Sequence, residues 1–129
     1  MSNNALKTTN ILLVNDDSDI GMTFKLGLEK MGFKVDVYTN PVLALSEYKP
    51  DYYGLLLLDI RMPEMTGFEL YYRIGNVDSR AKACFITAFE TYYESLKDSY
   101  PSLDVDCFIK KPISIEDLVH RIKTKINQE

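Results

Sequence analysis

Four consecutive leucines, Leu55 to Leu58, run straight into an aspartate, Asp59. Nothing in that run alternates, so both of its faces need cover, as for a strand inside a parallel sheet. Taken from Tyr53 to Leu58, it is the third of five short apolar runs; the others are Ile11 to Val14, Val35 to Tyr38, Cys84 to Ile86 and Cys107 to Ile109. All are too short for helices and rich in strand-forming residues. The stretches between them have helical spacing. Ile20, Phe24, Leu28 and Met31 share one helical face. Asn40 followed by Pro41 reads as an N-cap and first-turn proline, with Ala44, Leu45 and Tyr48 turned inward and Lys49-Pro50 ending the helix. Gly67 to Ile74 and Glu90 to Lys97 read as further helices. In the last, Ser114 and Asp117 resemble a capping box, and Ile115, Leu118, Val119, Ile122 and Ile126 form an apolar stripe. Strand and helix thus alternate five times, which gives an α/β, doubly wound parallel sheet.

A chain of 129 residues makes one domain. The expected division is a tail over residues 1–9, a domain over 10–126 and an end at 127–129. A net charge of −4 argues against direct nucleic-acid binding, which needs clustered Lys and Arg. No apolar run approaches the roughly 18 residues of a membrane span, and Met1 to Asn10 lacks the apolar stretch of a secretory signal, so a soluble, cytoplasmic protein is expected. Cys84 and Cys107 are too few and too far apart for a disulfide framework or zinc site, and read as buried, reduced thiols.

In an open parallel sheet, ligands bind outside the carboxyl ends of the strands. Asn15, Asp16 and Asp17 follow the first strand, Asp59 the third, Thr87 ends the fourth, and Lys110, Lys111 and Pro112 follow the fifth. Singly, each has a plain explanation, an Asp as a helix N-cap or a Lys as a solvated loop charge. Together they bring acids, a hydroxyl and an ammonium to one edge. Oxygens from two strand ends suit Mg²⁺, which uses one or two carboxylates, waters and a substrate phosphate. A carboxylate beside such an ion can attack phosphorus while a Lys neutralises the transferring oxygens, and Thr87 can donate to the new phosphoryl group. No His/Cys cluster, Ser-His pair or Gly-rich loop competes, and the single histidine, His120, reads as a surface residue of the last helix.

Four segments, ILLVNDDSDI (11–20), LLLLDIRMPEMTGFEL (55–70), FITA (85–88) and CFIKKP (107–112), stand in the order of a response-regulator receiver domain, which the chain resembles from Asn10 to Ile126. The resemblance implies a flavodoxin-like, CheY-like three-layer sandwich with strand order 2-1-3-4-5. It implies transfer of a phosphoryl group from a histidine kinase or phosphotransfer protein onto Asp59. Asp16, Asp59 and the Arg61 backbone carbonyl would hold Mg²⁺, with Asn15 reaching it through water. Thr87, Ala88 through its N–H, and Lys111 would bind the phosphoryl group. Thr87 and Phe108 would form the switch, altering a face made by Glu90 to Lys97, the fifth strand and the last helix, where a downstream protein, an output domain or a second copy would dock. Pro112 matches the family's proline after that lysine. Self-catalysed phosphorylation and dephosphorylation are implied rather than conventional enzyme turnover.

The chain also departs from the family pattern. Asn15 stands where the first acid is usual, keeping an oxygen but losing a charge, so weaker Mg²⁺ binding is expected. A shifted register would pair Asp16 with Asp17 instead. Thr87 to Lys111 is longer than usual, with Pro101 and Ser102 as the extra loop, and Arg61 and Phe89 occupy positions that tune acyl-phosphate hydrolysis. Two rival readings are a phosphorylation-independent interaction module and an aspartyl phosphohydrolase, the latter wanting an acid where Arg61 stands. Of nine tyrosines, the pairs Tyr52-Tyr53, Tyr71-Tyr72 and Tyr92-Tyr93 each read as one ring inward and one at the surface. A sharper reading has Tyr92, Tyr93 and Tyr100 enlarge a partner face.

Overall fold

A computed structural model describes residues 10–87 and 107–128. Strands β1 (Asn10–Val14), β2 (Lys34–Tyr38), β3 (Leu55–Asp59), β4 (Ala83–Thr87) and β5 (Phe108–Lys110) form one parallel sheet in the order β2-β1-β3-β4-β5. The described helices are α1 (Ser18–Lys30), α2 (Pro41–Ser46), α3 (Gly67–Gly75) and α4 (Ile115–Ile126). Registry is unbroken across the centre, with Val14 beside Leu58 and Asp59 beside Ile86. Leu55 to Leu58 are fully buried because consecutive side chains face opposite layers, and each layer is covered. Ile11, Leu13, Leu55 and Leu57 meet Phe24 and Leu28 of α1 and Leu118, Val119 and Ile122 of α4. Leu12, Leu56 and Leu58 meet Ala44 of α2 and Phe68, Leu70 and Ile74 of α3.

The helices start where side chains can satisfy free backbone N–H groups. Asn40 accepts from the N–H groups of Val42 and Leu43, Ser114 from that of Asp117, and Thr66 from that of Glu69. Gly27 lets α1 and α4 approach closely, since a Cβ there would lie 2.5 Å from Ile115 Cδ1.

Several expectations need correction. Met31 is not on the buried face: it caps α1 and is half exposed, because the chain turns at Gly32 with φ +99°. Helix α2 ends at Ser46 with Glu47 as its cap, before Lys49-Pro50. Cys84 and Cys107 are buried as expected but are not reduced thiols. They are joined in a disulfide, with Cα atoms 4.7 Å apart. The reason is registry: Phe85 lies beside Phe108, so the preceding residues are lateral neighbours on adjacent strands. The Glu90 to Lys97 helix, Ala88, Phe89, Tyr92, Tyr93, Tyr100, Pro101 and Ser102 lie outside the described residues. Of the remaining tyrosine pairs, Tyr53 is buried and Tyr72 exposed, with Tyr52 and Tyr71 between. His120 is exposed, and among the described residues no helix is long and apolar enough to cross a membrane.

Candidate functional site

Asp59 closes β3 at the carboxyl edge of the sheet and is 7% exposed. The loop after it folds back tightly. Ile60 N–H donates to Ile86 O at 3.1 Å, and Gly67 N–H donates to Ile60 O at 3.0 Å. A Cβ on Gly67 would lie 2.3 Å from the Asp59 carbonyl oxygen, so this glycine is required for α3 to start against the strand end. Glu64 in the same loop has φ +73°, a left-handed backbone that a side chain disfavours.

Lys111 reaches the same point from β5, with Nζ 3.6 Å from Asp59 Oδ2. The Lys111–Pro112 peptide bond is cis. Burial raises the Asp59 pKa above the usual carboxylate value; the charge of Lys111 opposes that, Asp16 adds to it, and the Arg61 backbone N–H and a Lys111 hydrogen bond oppose it. The pocket therefore holds Asp59 as a carboxylate short of solvation, with one ammonium beside it.

The acidic stretch divides by role. Asp17 is the N-cap of α1 and accepts from Asp19 and Ile20 N–H at 3.0 and 3.2 Å. Asp16 is exposed and lines an open cleft of about 330 Å³ with Thr39, Asn40, Pro41, Pro63 and Glu64. Asn15 is buried, its Oδ1 accepting from Asp17 N–H at 3.0 Å. Thr87 ends β4 beside Lys110. Phe108 is half-buried, its ring stacked on Phe85 at 5.8 Å and edge-on to Phe68 at 6.0 Å. A second cleft of about 320 Å³ runs from Lys111, Pro112 and Ile113 to Asp19, Ile20, Thr23 and Phe24 of α1.

Two features near the site escaped the sequence reading. Arg121 of α4 donates to Phe108 O at 2.7 Å and lies 3.9 Å from Cys107 Sγ, fixing β5 to the helix behind it. The Cys84–Cys107 bond ties β5 to β4. The signal for the bond was present, since both cysteines sit just before the fourth and fifth apolar runs' site residues, but pairing them required the strand register. No group of three His, Cys, Asp or Glu gathers for a metal among the described residues. Mg²⁺ asks for less than that. The buried Asp59 carboxylate, the nearby Asp16 carboxylate and backbone carbonyl oxygen are hard donors of the type it takes, and a cation would offset both the burial that raises Asp59 and the Asp16 charge that adds to it.

The chain matches the family model of the response regulator receiver domain over residues 11–123. It is 36% identical over 113 residues to the response regulator receiver protein CpdR of Brucella abortus, covering 88% of this chain and 92% of that protein. It is 31% identical over 120 residues to the uncharacterized transcriptional regulatory protein YkoG of Bacillus subtilis, covering 92% of this chain but only 51% of that one. Among solved structures, a response regulator receiver domain protein from Methanospirillum hungatei superposes with a TM-score of 0.81 at 28% identity, covering 92% of this chain and 94% of the other. The response regulator TrrA of Thermotoga maritima, solved in complex with Mg²⁺-BeF, gives 0.76 at 27% identity, covering 90% of this chain and 97% of the other.

Proposed function

Since the chain belongs to the response regulator receiver domain family of two-component signalling, we propose that it is a phosphorylation switch whose acceptor is Asp59. The observation that carries this reading is the Asp59–Lys111 pair, an almost buried carboxylate with an ammonium 3.6 Å away at the carboxyl edge of β3. A phosphohistidine on a histidine kinase or phosphotransfer protein is the donor this chemistry fits. An Asp59 carboxylate oxygen attacks phosphorus; the O–P bond forms as the N–P bond breaks, and the leaving imidazole nitrogen keeps the electron pair and takes a proton. Poor solvation keeps the Asp59 oxygens reactive, and Lys111 holds the carboxylate ionised and then faces the transferred oxygens.

Asp16, Asp59 and the Arg61 carbonyl would hold Mg²⁺, with Asn15 through water, and the ion supplies charge neutralisation at the transferring oxygens. Capping of α1 by Asp17 supports Asp16 rather than Asp17 as the acid left to reach a cation. Thr87, Ala88 N–H and Lys111 would bind the phosphoryl group. Signalling would pass through Thr87 and Phe108, whose ring already packs on Phe85, to a face including β5 and α4, for a downstream protein, an output domain or a second copy. A cytoplasmic site of action follows from such a donor.

Intact-mass measurement with a small phosphodonor and Mg²⁺ tests the assignment. One phosphoryl adduct is expected on the wild type and none on Asp59→Asn. An adduct that survives Asp59→Asn moves the acceptor elsewhere, and no adduct on either protein overturns the switch.

A further inference from the structure

Asn15 is 1% exposed, yet its Nδ2 has no hydrogen-bond partner. The amide is not free to turn and cure this. Its Oδ1 accepts from Asp17 N–H at 3.0 Å, and inverting the amide would set two donors against each other. Asp17 is in turn held as the cap of α1 by its own bonds to Asp19 and Ile20 N–H. The helix cap thus dictates that Asn15 presents a buried donor.

Registry gives that donor its neighbour. Val14 and Leu58 form the last pair of β1 and β3, so Asn15 and Asp59 follow as the next lateral neighbours. Alternation puts both on the face of Leu13 and Leu57, the same layer of the sheet. An N–H group cannot ligate a cation; Oδ1, which already accepts one bond, keeps its second lone pair for a metal-bound water. An acceptor oxygen arriving beside Asp59 would satisfy Nδ2.

We propose that Asn15 is a phosphoryl-binding residue, its Nδ2–H donating to an oxygen of the group carried by Asp59, and that this chain thereby gives up Mg²⁺ affinity for direct contact with the anion. This rests on Asp59 as acceptor and deepens that reading. It makes the switch less dependent on the divalent cation than a carboxylate at position 15 would. Asn15→Asp is the isosteric probe, because it still accepts from Asp17 N–H while replacing the donor with an anionic oxygen. Asn15→Ala removes the donor without adding charge.

The test uses the whole chain, with ¹⁵N amide spectra as readout. Mg²⁺ alone and beryllium fluoride, with Mg²⁺ or with EDTA, are the probes. Beryllium fluoride is expected to occupy the wild type in EDTA and to shift the Asn15 side-chain NH₂ signals. In EDTA its affinity should fall about tenfold in both variants, a loss of about 1.4 kcal/mol, and Mg²⁺ alone should bind about tenfold tighter to Asn15→Asp but not to Asn15→Ala. Wild-type occupancy that needs Mg²⁺, an unmoved Asn15 NH₂, or equal Mg²⁺ affinity in wild type and Asn15→Asp overturns the proposal while leaving Asp59 as acceptor. No occupancy of the wild type even with Mg²⁺ overturns both readings.

Discussion

The two edges of the sheet treat buried carboxylates in opposite ways. At the amino edge, Asp78 is 9% exposed and one oxygen accepts from Tyr48 Oη at 2.7 Å and from Asp51 N–H at 3.0 Å. Asp36, in the middle of β2, accepts from Tyr53 Oη at 2.8 Å and pairs with Lys49 at 3.3 Å. Burial and these carboxylates push the Tyr48 and Tyr53 hydroxyls far up, so both remain protonated donors. At the carboxyl edge, Asp59 is as buried as Asp78 but has an ammonium at 3.6 Å, and Asn15 beside it keeps an unpartnered N–H. One residue type is a structural acceptor where neutral hydroxyl and amide donors hold it, and a chemical group where an ammonium faces it and a neighbouring amide N–H is left without a partner. Functional sites are where a fold tolerates such deficits.

The largest effect expected tests whether β5, joined to β4 by a covalent link ahead of its site residues, needs that link where the amino edge relies on hydrogen bonds. The Cys84–Cys107 bond spans a sequence separation of 23, and losing a closed loop of that size costs about 3 kcal/mol. Urea unfolding of wild type with and without a strong reductant, and of the Cys84→Ala, Cys107→Ala double variant, measures it. Equal midpoints in all three would show that β5 needs no such link.

Next in size, Asp78→Ala strands the Tyr48 hydroxyl and the Asp51 N–H, a loss of about 2 kcal/mol at the low end for two such groups. Denaturant unfolding of Asp78→Ala, with Tyr48→Phe as the milder control, checks this. A loss below that of Tyr48→Phe would mean the amino edge is not saturated as described.

Asp59→Asn should act in the opposite direction and stabilise the chain at pH 7 by about 1 kcal/mol, the low end of the cost of an imperfectly satisfied buried polar group. The sign follows from the raised pKa. A carboxyl that binds its proton more tightly in the folded chain contributes stability below its unfolded value of 3.8, and that contribution is lost as pH rises through the folded value. The gap between Asp59→Asn and wild type should therefore open with rising pH and close in acid, before any acid unfolding. Thermal melts across pH 3 to 8 read it, and a gap constant with pH would assign the effect to packing instead.

The smallest change concerns backbone strain beside the site. Glu64→Gly relieves a left-handed φ of +73° that costs the folded chain about 1 kcal/mol, a gain partly offset by greater unfolded-state freedom. A gain of a few tenths of a kcal/mol in denaturant midpoints is expected. Destabilisation would mean that the Glu64 side chain supports the loop.

Period and punctuation alone fixed much of this protein. The leucine run, the Asn40 and Ser114 caps and the stripe of α4 are local patterns, and strand order followed from the family they resemble. Asp59, Lys111, Asp16 and Asn15 could be named because they follow strands, and strand ends share an edge in any parallel sheet. Tertiary structure decided what those residues touch. Whether Cys84 meets Cys107 depends on how two strands align, a one-residue matter that composition does not carry. Whether Asp17 caps a helix or faces a ligand depends on where α1 begins. Whether Asn15 offers an oxygen or a hydrogen depends on which way one N–H turns its amide. Hydrophobic pattern is written residue by residue, whereas registry, capping and hydrogen-bond direction arise only when distant segments are brought together.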